Sequence, residues 1–225
     1  VIRTYDLGDR DAVAEVCART AAGGGDARGL YSDDLLMPEV YALPYVTYAP
    51  ELAFVVVHPD GGDHDPDDGP DARLRVADGR IVGYVLGVAD TAAFVEWWER
   101  EWTPGFVRRH PEPRAPLRAG AAPSYTEARL IHDGAHPRRM LLPDDELAAY
   151  PAHLHIDLLP EAQRQGYGRR LVDTLRAALT ARGVPGLHLG YDPANVSARA
   201  FYDRVGFREL PSSRPDAPLL GIPTT

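Results

Sequence analysis

The stretch from Ala152 to Leu179, AHLHIDLLPEAQRQGYGRRLVDTLRAAL, constrains the fold more than any other part of the chain. Its first residues alternate. His153, His155 and Asp157 fall on one face, and Leu154, Ile156 and Leu158 on the other, which is the period of a β-strand. A helix follows, and Gly166 and Gly168 flank Tyr167 at the changeover. Helix starts carry unpaired N–H groups and a partial positive charge. Glycines at such a turn let a phosphate approach those groups without meeting a side chain. Arg164, Arg169 and Arg170 add positive charge nearby. The stretch therefore reads as a seat for a pyrophosphate.

Three glycine-rich designs compete for it. The phosphate loop needs Gly-Lys-Ser/Thr, yet the 24 residues counted as Lys or Arg are all arginine. The same absence removes Schiff-base lysines and lysine general bases; genomic base composition is the plain reason for such a bias. The dinucleotide fingerprint needs a third glycine where Leu171 stands, and belongs in the first strand-helix turn of its fold. The remaining design is Gln/Arg-x-x-Gly-x-Gly/Ala, here Gln163-Arg164-Gln165-Gly166-Tyr167-Gly168.

The rest of the chain reads as mixed α/β. A short strand and a helix open it, with Asp9 or Asp11 expected as the cap and Val13, Val16 and Cys17 on one face. An aromatic, proline-broken run from Leu30 to Pro50 suggests a short helix and a loop over a cleft. Strands are expected at ELAFVVVHPD and GRIVGYVLGVADT, joined as a hairpin by an acidic, turn-rich loop. Calcium fits that loop poorly: with Asp63, Asp65 and Asp67 as first ligands, Asp68 takes the glycine position and Leu74 that of the bidentate glutamate. TAAFVEWWEREWTP reads as a helix with a Phe94, Trp97, Trp98 stripe, for core packing or a lid over a substrate. Little periodicity is visible from Thr103 to Tyr150, apart from a short helix within PSYTEARLIHDG. Strand GLHLGYD, helix NVSARAFYDRVG and a last strand FREL close the chain.

At this point the sequence resembles the GCN5-related N-acetyltransferases (GNAT). The glycine turn carries the resemblance together with GRIVGYVLG, which looks like that family's third strand, AHLHIDLLP, which looks like its fourth, and DPANVSARAFYDRVGF, which looks like its closing signature. In the last, the matching residues are Asn195, Ala198, Phe201, Tyr202, Gly206 and Phe207. AHLHIDLLPEAQRQGYGRRL and the tryptophan-rich helix are also similar to the acetyltransferase-like domain of animal O-GlcNAc hydrolases and its bacterial relatives. The resemblance covers 151–210 well and 1–90 loosely. It implies one GNAT-like domain over residues 1–225, with an insertion at about 91–150. It also implies a mixed, mostly antiparallel sheet with splayed central strands flanked by helices.

By the same resemblance, acetyl-CoA is the co-substrate, with no metal, and a primary amine the acceptor. Backbone groups of Ile156 and Leu158, beside Asp157, would pair with the pantetheine arm. Gln163, Arg164, Gln165, Gly166, Tyr167, Gly168 and Arg169 would hold the pyrophosphate. Asn195 would bond the pantetheine or order the helix after it, and Tyr202 would be the general acid. Many members place a glutamate base where this chain has Ala152. Asp157 is the next carboxylate, competent if burial raises its pKa; His153 or His155 are the other candidates. The alternative is a catalytically weak or inactive module that binds acetyl-CoA or a protein partner.

His153, His155 and His188 also allow a metal, weakly on ligand count. A net charge of −9 argues against nucleic acid and mildly favours a cationic acceptor. One cysteine suits a reducing compartment, and no apolar run is long enough to span a bilayer or to look like a leader, so a cytoplasmic location is expected.

Overall fold

A computed structural model describes residues 1–59, 71–119 and 125–225. The acidic run at Asp63, Asp65, Asp67 and Asp68 lies outside them.

The chain opens with β1 (Ile2–Thr4) and α1 (Arg10–Thr20). The cap differs from expectation. Asp6 caps the tight turn before α1 and forms a reciprocal box with Asp9, while Asp9 makes no side-chain cap for α1. The Asp9 carboxylate is instead engaged outside the helix, by Arg3 at 2.6 and 2.9 Å and by the Asp6 N–H at 2.8 Å. Val13, Val16 and Cys17 are buried, as their spacing implies. Two short helices follow, α2 (Leu36–Tyr41) and α3 (Leu43–Tyr48).

The β-branched run of β2 (Ala53–His58) pairs antiparallel with β4 (Gly79–Val88), and the short β3 (Arg75–Val76) pairs with the start of β4. After β4 the chain leaves the sheet for 91–150. It forms α4 (Thr91–Trp97), a π turn (Trp98–Trp102), α5 (Thr103–Arg109), α6 (Glu127–Ala135) and α7 (Asp144–Ala149). Phe94 and Trp98 are fully buried, and the Trp98 indole donates to Gly134 O at 2.9 Å, so this stripe is largely core. Phe106 and Leu130 meet Leu36, Met37 and Val40 of α2 in a second, smaller core.

The chain returns as β5 (Ala152–Leu158), then α8 (Tyr167–Thr180), β6 (Gly186–Gly190), α9 (Val196–Val205), β7 (Arg208–Glu209) and β8 (Leu219–Pro223). The sheet runs β1-β2-β4-β5-β6-β8-β7, antiparallel except between β5 and β6. The last strand is not FREL. The proline-bounded LLGIP closes the chain as β8, between β6 and β7, since a turn at residues 211–218 folds it back into the edge left by β6. Leu171, Val172, Leu175 and Leu179 recur on one face of α8 and are fully buried. Each stabilises the helix on the sheet by roughly 1.5–3 kcal/mol.

Candidate functional site

Strand β5 pairs with β4 over Leu158 to His153, but with β6 only at Ala152↔Leu187 and His153↔His188. Beyond His153 the two central strands part, and β6 continues against β8 instead. The backbone direction within the gap follows from two bonds at the ends of β5. Leu159 N–H donates to Val82 O, and Pro151 O accepts from Thr91 N–H. With a period of two, the main-chain groups of His153, His155 and Asp157 face β4, and those of Leu154, Ile156 and Leu158 face the gap. The Leu158 carbonyl already accepts from the Gln163 amide at 3.0 Å. The Ile156 N–H and C=O and the Leu158 N–H remain aimed at the gap, ready to pair with an extended ligand as a sheet edge does.

The gap leads to the turn before α8. Arg164 and Gly166 both take left-handed backbone, at φ 59 and 81. This reverses the chain so that the first α8 amides point outward. Arg170 N–H is the first to bond inside the helix, to Gly166 O at 3.2 Å. Those of Tyr167, Gly168 and Arg169 remain available to an anion. The two glycines differ in purpose. A Cβ on Gly166 would meet open space, so this glycine serves its backbone angle. A Cβ on Gly168 would lie 2.9 Å from the Phe201 ring, so this glycine lets α9 approach α8. Gln163 and Gln165 donate back to the carbonyls of Leu158 and Glu161, and Arg169 to Arg204 O; they shape the turn. Tyr167 packs beside His58.

On the α1–α3 face of the sheet, past the last paired residue, stand His155 and then Asp157. The Tyr84 hydroxyl, opposite on β4, donates to Asp157 at 2.6 Å. Burial pushes the Asp157 carboxyl from 3.8 to about 6, against the pull of that bond. Tyr202 on α9 sits close enough for burial and the Asp157 charge together to raise its phenol well above the ordinary tyrosine value. It therefore stays a proton donor across the neutral range. Asn195 caps α9, its side-chain oxygen accepting from Ala198 N–H at 3.1 Å and Ser197 Oγ at 2.7 Å. Of the two roles expected for it, this is the one the geometry contains.

The histidines are bonded into the protein. His153 uses both ring nitrogens, with Tyr45 and Thr91, each at 2.8 Å, and His188 Nδ1 bonds Tyr150 O at 2.8 Å. Burial drives His153 well below the ordinary histidine value and His155 down to about 3. Both are neutral at physiological pH, which disfavours either as the base. Among the described residues no three His, Cys, Asp or Glu side chains are placed to hold a metal ion. None of the described helices is long and apolar enough to cross a membrane. Ala152, at the position where the family resemblance implies a glutamate, is buried and carries no acid-base group.

Several residues here were not picked out in the sequence. Tyr84 and Tyr45 bond the residues lining the gap. Tyr41 packs edge-on to His155 at 5.5 Å, with the Arg139 guanidinium 5.8 Å from its ring. Arg139 also donates to Asp133 O at 3.1 Å, and Asp133 is held by Arg129 at 2.9 Å. The aromatic, proline-broken run was the only hint of Tyr41 and Tyr45; for Tyr84 and Arg139 nothing in the pattern gave a signal.

Residues 39–207 match the model of the acetyltransferase (GNAT) family. A protein called SsHAT, known as a crystal structure, is 43% identical, with 100% of this chain and 98% of that one covered at a TM-score of 0.79. Protein O-GlcNAcase of Rattus norvegicus is 23% identical over 130 residues, which are 58% of this chain and only 14% of that protein. The Salmonella typhimurium protein yncA, solved with its cofactor acetyl-CoA, shares the fold at 12% identity and a TM-score of 0.51, covering 100% of this chain and 94% of its own.

Proposed function

The chain belongs to the acetyltransferase (GNAT) family, and from that premise we propose that it moves the acetyl group of acetyl-CoA directly to a primary amine. The observation that carries the reading is the parting of β5 from β6 at His153. It leaves main-chain donors and an acceptor of Ile156 and Leu158 along one wall, in line with the amide-lined turn before α8. The pantetheine arm suits the wall and the pyrophosphate suits the turn. Acetyl-CoA supplies an activated acyl group on a thiol leaving group.

This chain's residues then divide the remaining work. Asp157, ionised above about pH 6, accepts the proton that the amine loses as its nitrogen bonds the acyl carbon. Tyr202 gives its hydroxyl proton to the departing sulfur. Passage of the proton from Asp157 to the Tyr202 phenolate restores both groups. Tyr84 holds the Asp157 carboxylate in place through its 2.6 Å bond.

Calorimetry with acetyl-CoA, followed by thiol release across a panel of primary amines, tests this. Binding with turnover of any amine supports the reading. Absence of binding refutes it. Binding without thiol release would favour the second reading, a module that holds acetyl-CoA without using it; the missing glutamate at Ala152 is the feature that speaks for that one.

A further inference from the structure

A chain of four hydrogen bonds leads away from the gap, and counting protons fixes its direction. The Thr91 hydroxyl donates its one proton to Pro151 O at 2.7 Å. Toward His153 Nδ1, 2.8 Å away, it can therefore only accept. Neutral His153 thus carries its proton on Nδ1 and leaves Nε2 bare. The Tyr45 hydroxyl, 2.8 Å from Nε2, donates its one proton there in preference to the weaker, more distant Met140 Sδ at 3.7 Å. It is then an acceptor for His155 Nε2, 3.0 Å away on its other side. His155, neutral as well, keeps its proton on Nε2, and Nδ1 holds a bare lone pair.

That lone pair has no partner among the described residues, although His155 is not fully covered. Its place explains why. His153 is the last residue of β5 paired to β6, and His155 is the next side chain on the same face. It is thus the first to stand beside the open gap, with Asp157 following. Side chains two apart on a strand stand about 7 Å apart. One nitrogen atom between them reaches both once the two tips lean together by about 1 Å, since two hydrogen bonds span roughly 6 Å.

We propose that Tyr45, His153 and Thr91 are positioning residues that lock His155 as the Nε2–H tautomer, so that Nδ1 accepts one N–H of the incoming amine while Asp157 accepts the other. The inference rests on the acetyltransferase reading. It also narrows the acceptor. A nitrogen that gives one hydrogen to His155 and one to Asp157, and its lone pair to the acyl carbon, must be a primary amine; a secondary amine lacks one of the three. The chain ends on a carbonyl that has no proton to pass on, so His155 orients the amine and does not relay its proton. The proton goes to Asp157, as above.

Thr91 is fully buried and lies three hydrogen bonds from Nδ1, so changing it cannot remove a contact with the amine directly. Thr91→Val keeps its shape and deletes the hydroxyl; Thr91→Ser restores the hydroxyl. Two-bond nitrogen-proton couplings of the imidazoles report the tautomer without any substrate. The expected result is His155 as Nε2–H in the wild type, mixed tautomers in Thr91→Val, and recovery in Thr91→Ser. With n-butylamine as acceptor, KM should rise about tenfold in Thr91→Val, the worth of one misdirected hydrogen bond. The acetyl-CoA KM should be unchanged, and the wild type should prefer n-butylamine to N-methylbutylamine by at least about tenfold.

His155 found as Nδ1–H or as imidazolium in the wild type would overturn the proposal. So would an n-butylamine KM that ignores a lost tautomer, or equal use of the two amines. If Thr91→Val fails to fold, Tyr45→Phe breaks the same chain one bond from His155 and should mix the tautomers equally. If the wild type neither binds acetyl-CoA nor acetylates any amine, the acetyltransferase reading fails, and the nitrogen couplings still decide whether Nδ1 is the bare atom.

Discussion

Asp157→Asn should make the protein more stable at neutral pH, and the gain should vanish in acid. The folded protein raises this carboxyl from 3.8 to about 6, because burial strips part of the hydration an ionised carboxylate has in the unfolded chain. Between those values the unfolded chain has lost the proton and the native state still binds it. Native stability therefore falls as pH rises through this window. At about 1.4 kcal/mol per pH unit, the fall amounts to about 3 kcal/mol. Asparagine keeps the shape and can still accept the Tyr84 hydroxyl, but does not titrate. The difference in unfolding free energy, variant minus wild type, should grow by about 3 kcal/mol from about pH 4 to about pH 7 and then level off. Urea denaturation at a series of pH values measures it. Parallel curves for the two proteins, or a difference that shrinks as pH rises, would refute the reasoning. The same ionisation should appear in turnover, as a rise through about pH 6 that Asp157→Asn abolishes together with most of the activity.

Other outcomes follow from the same geometry. Tyr202→Phe should lower turnover while leaving acetyl-CoA affinity intact in calorimetry; an unchanged rate would remove this phenol from the chemistry. Gly168→Ala should destabilise the protein by about 1–3 kcal/mol in denaturant, since the added methyl meets the Phe201 ring at 2.9 Å. Gly166→Ala should cost about 1–2 kcal/mol for its left-handed backbone alone, with no clash; no loss at Gly168 beside a loss at Gly166 above about 3 kcal/mol would reverse the roles given to them. Cys17 is buried and its thiol pushed up by burial, so alkylation should occur only on global unfolding; rapid labelling of the native protein would show that α1 opens locally.

The order of strands and helices from β5 to β7 was legible because it rests on local rules. The alternation of His153 to Leu158, the glycine turn at Gly166 and the capping Asn195 each write their geometry in a few neighbouring residues. The same holds for buried Cys17 and for the helix within TAAFVEWWEREWTP. Where the pattern was weak, the reading failed or stopped: β8 is a proline-bounded pentapeptide that becomes a strand only because β6 offers it an edge, and α7 has too few turns to show a period.

The site divides along the same line. The turn before α8 could be found from sequence, since one contiguous segment builds it. The purpose of Gly168 could not, because Phe201 decides it from 33 positions away. Nor could a base be chosen among His153, His155 and Asp157, which alternate identically along one strand. Their difference arises from partners brought by other elements. Tyr45 and Thr91 occupy His153, Tyr45 takes one nitrogen of His155, and Tyr84 steadies Asp157. Which residues share a face can be read from the sequence by itself, because backbone periodicity is local. Only the tertiary structure decided which of them carry a charge or a proton, because burial and hydrogen-bond partners are set by residues distant in the chain.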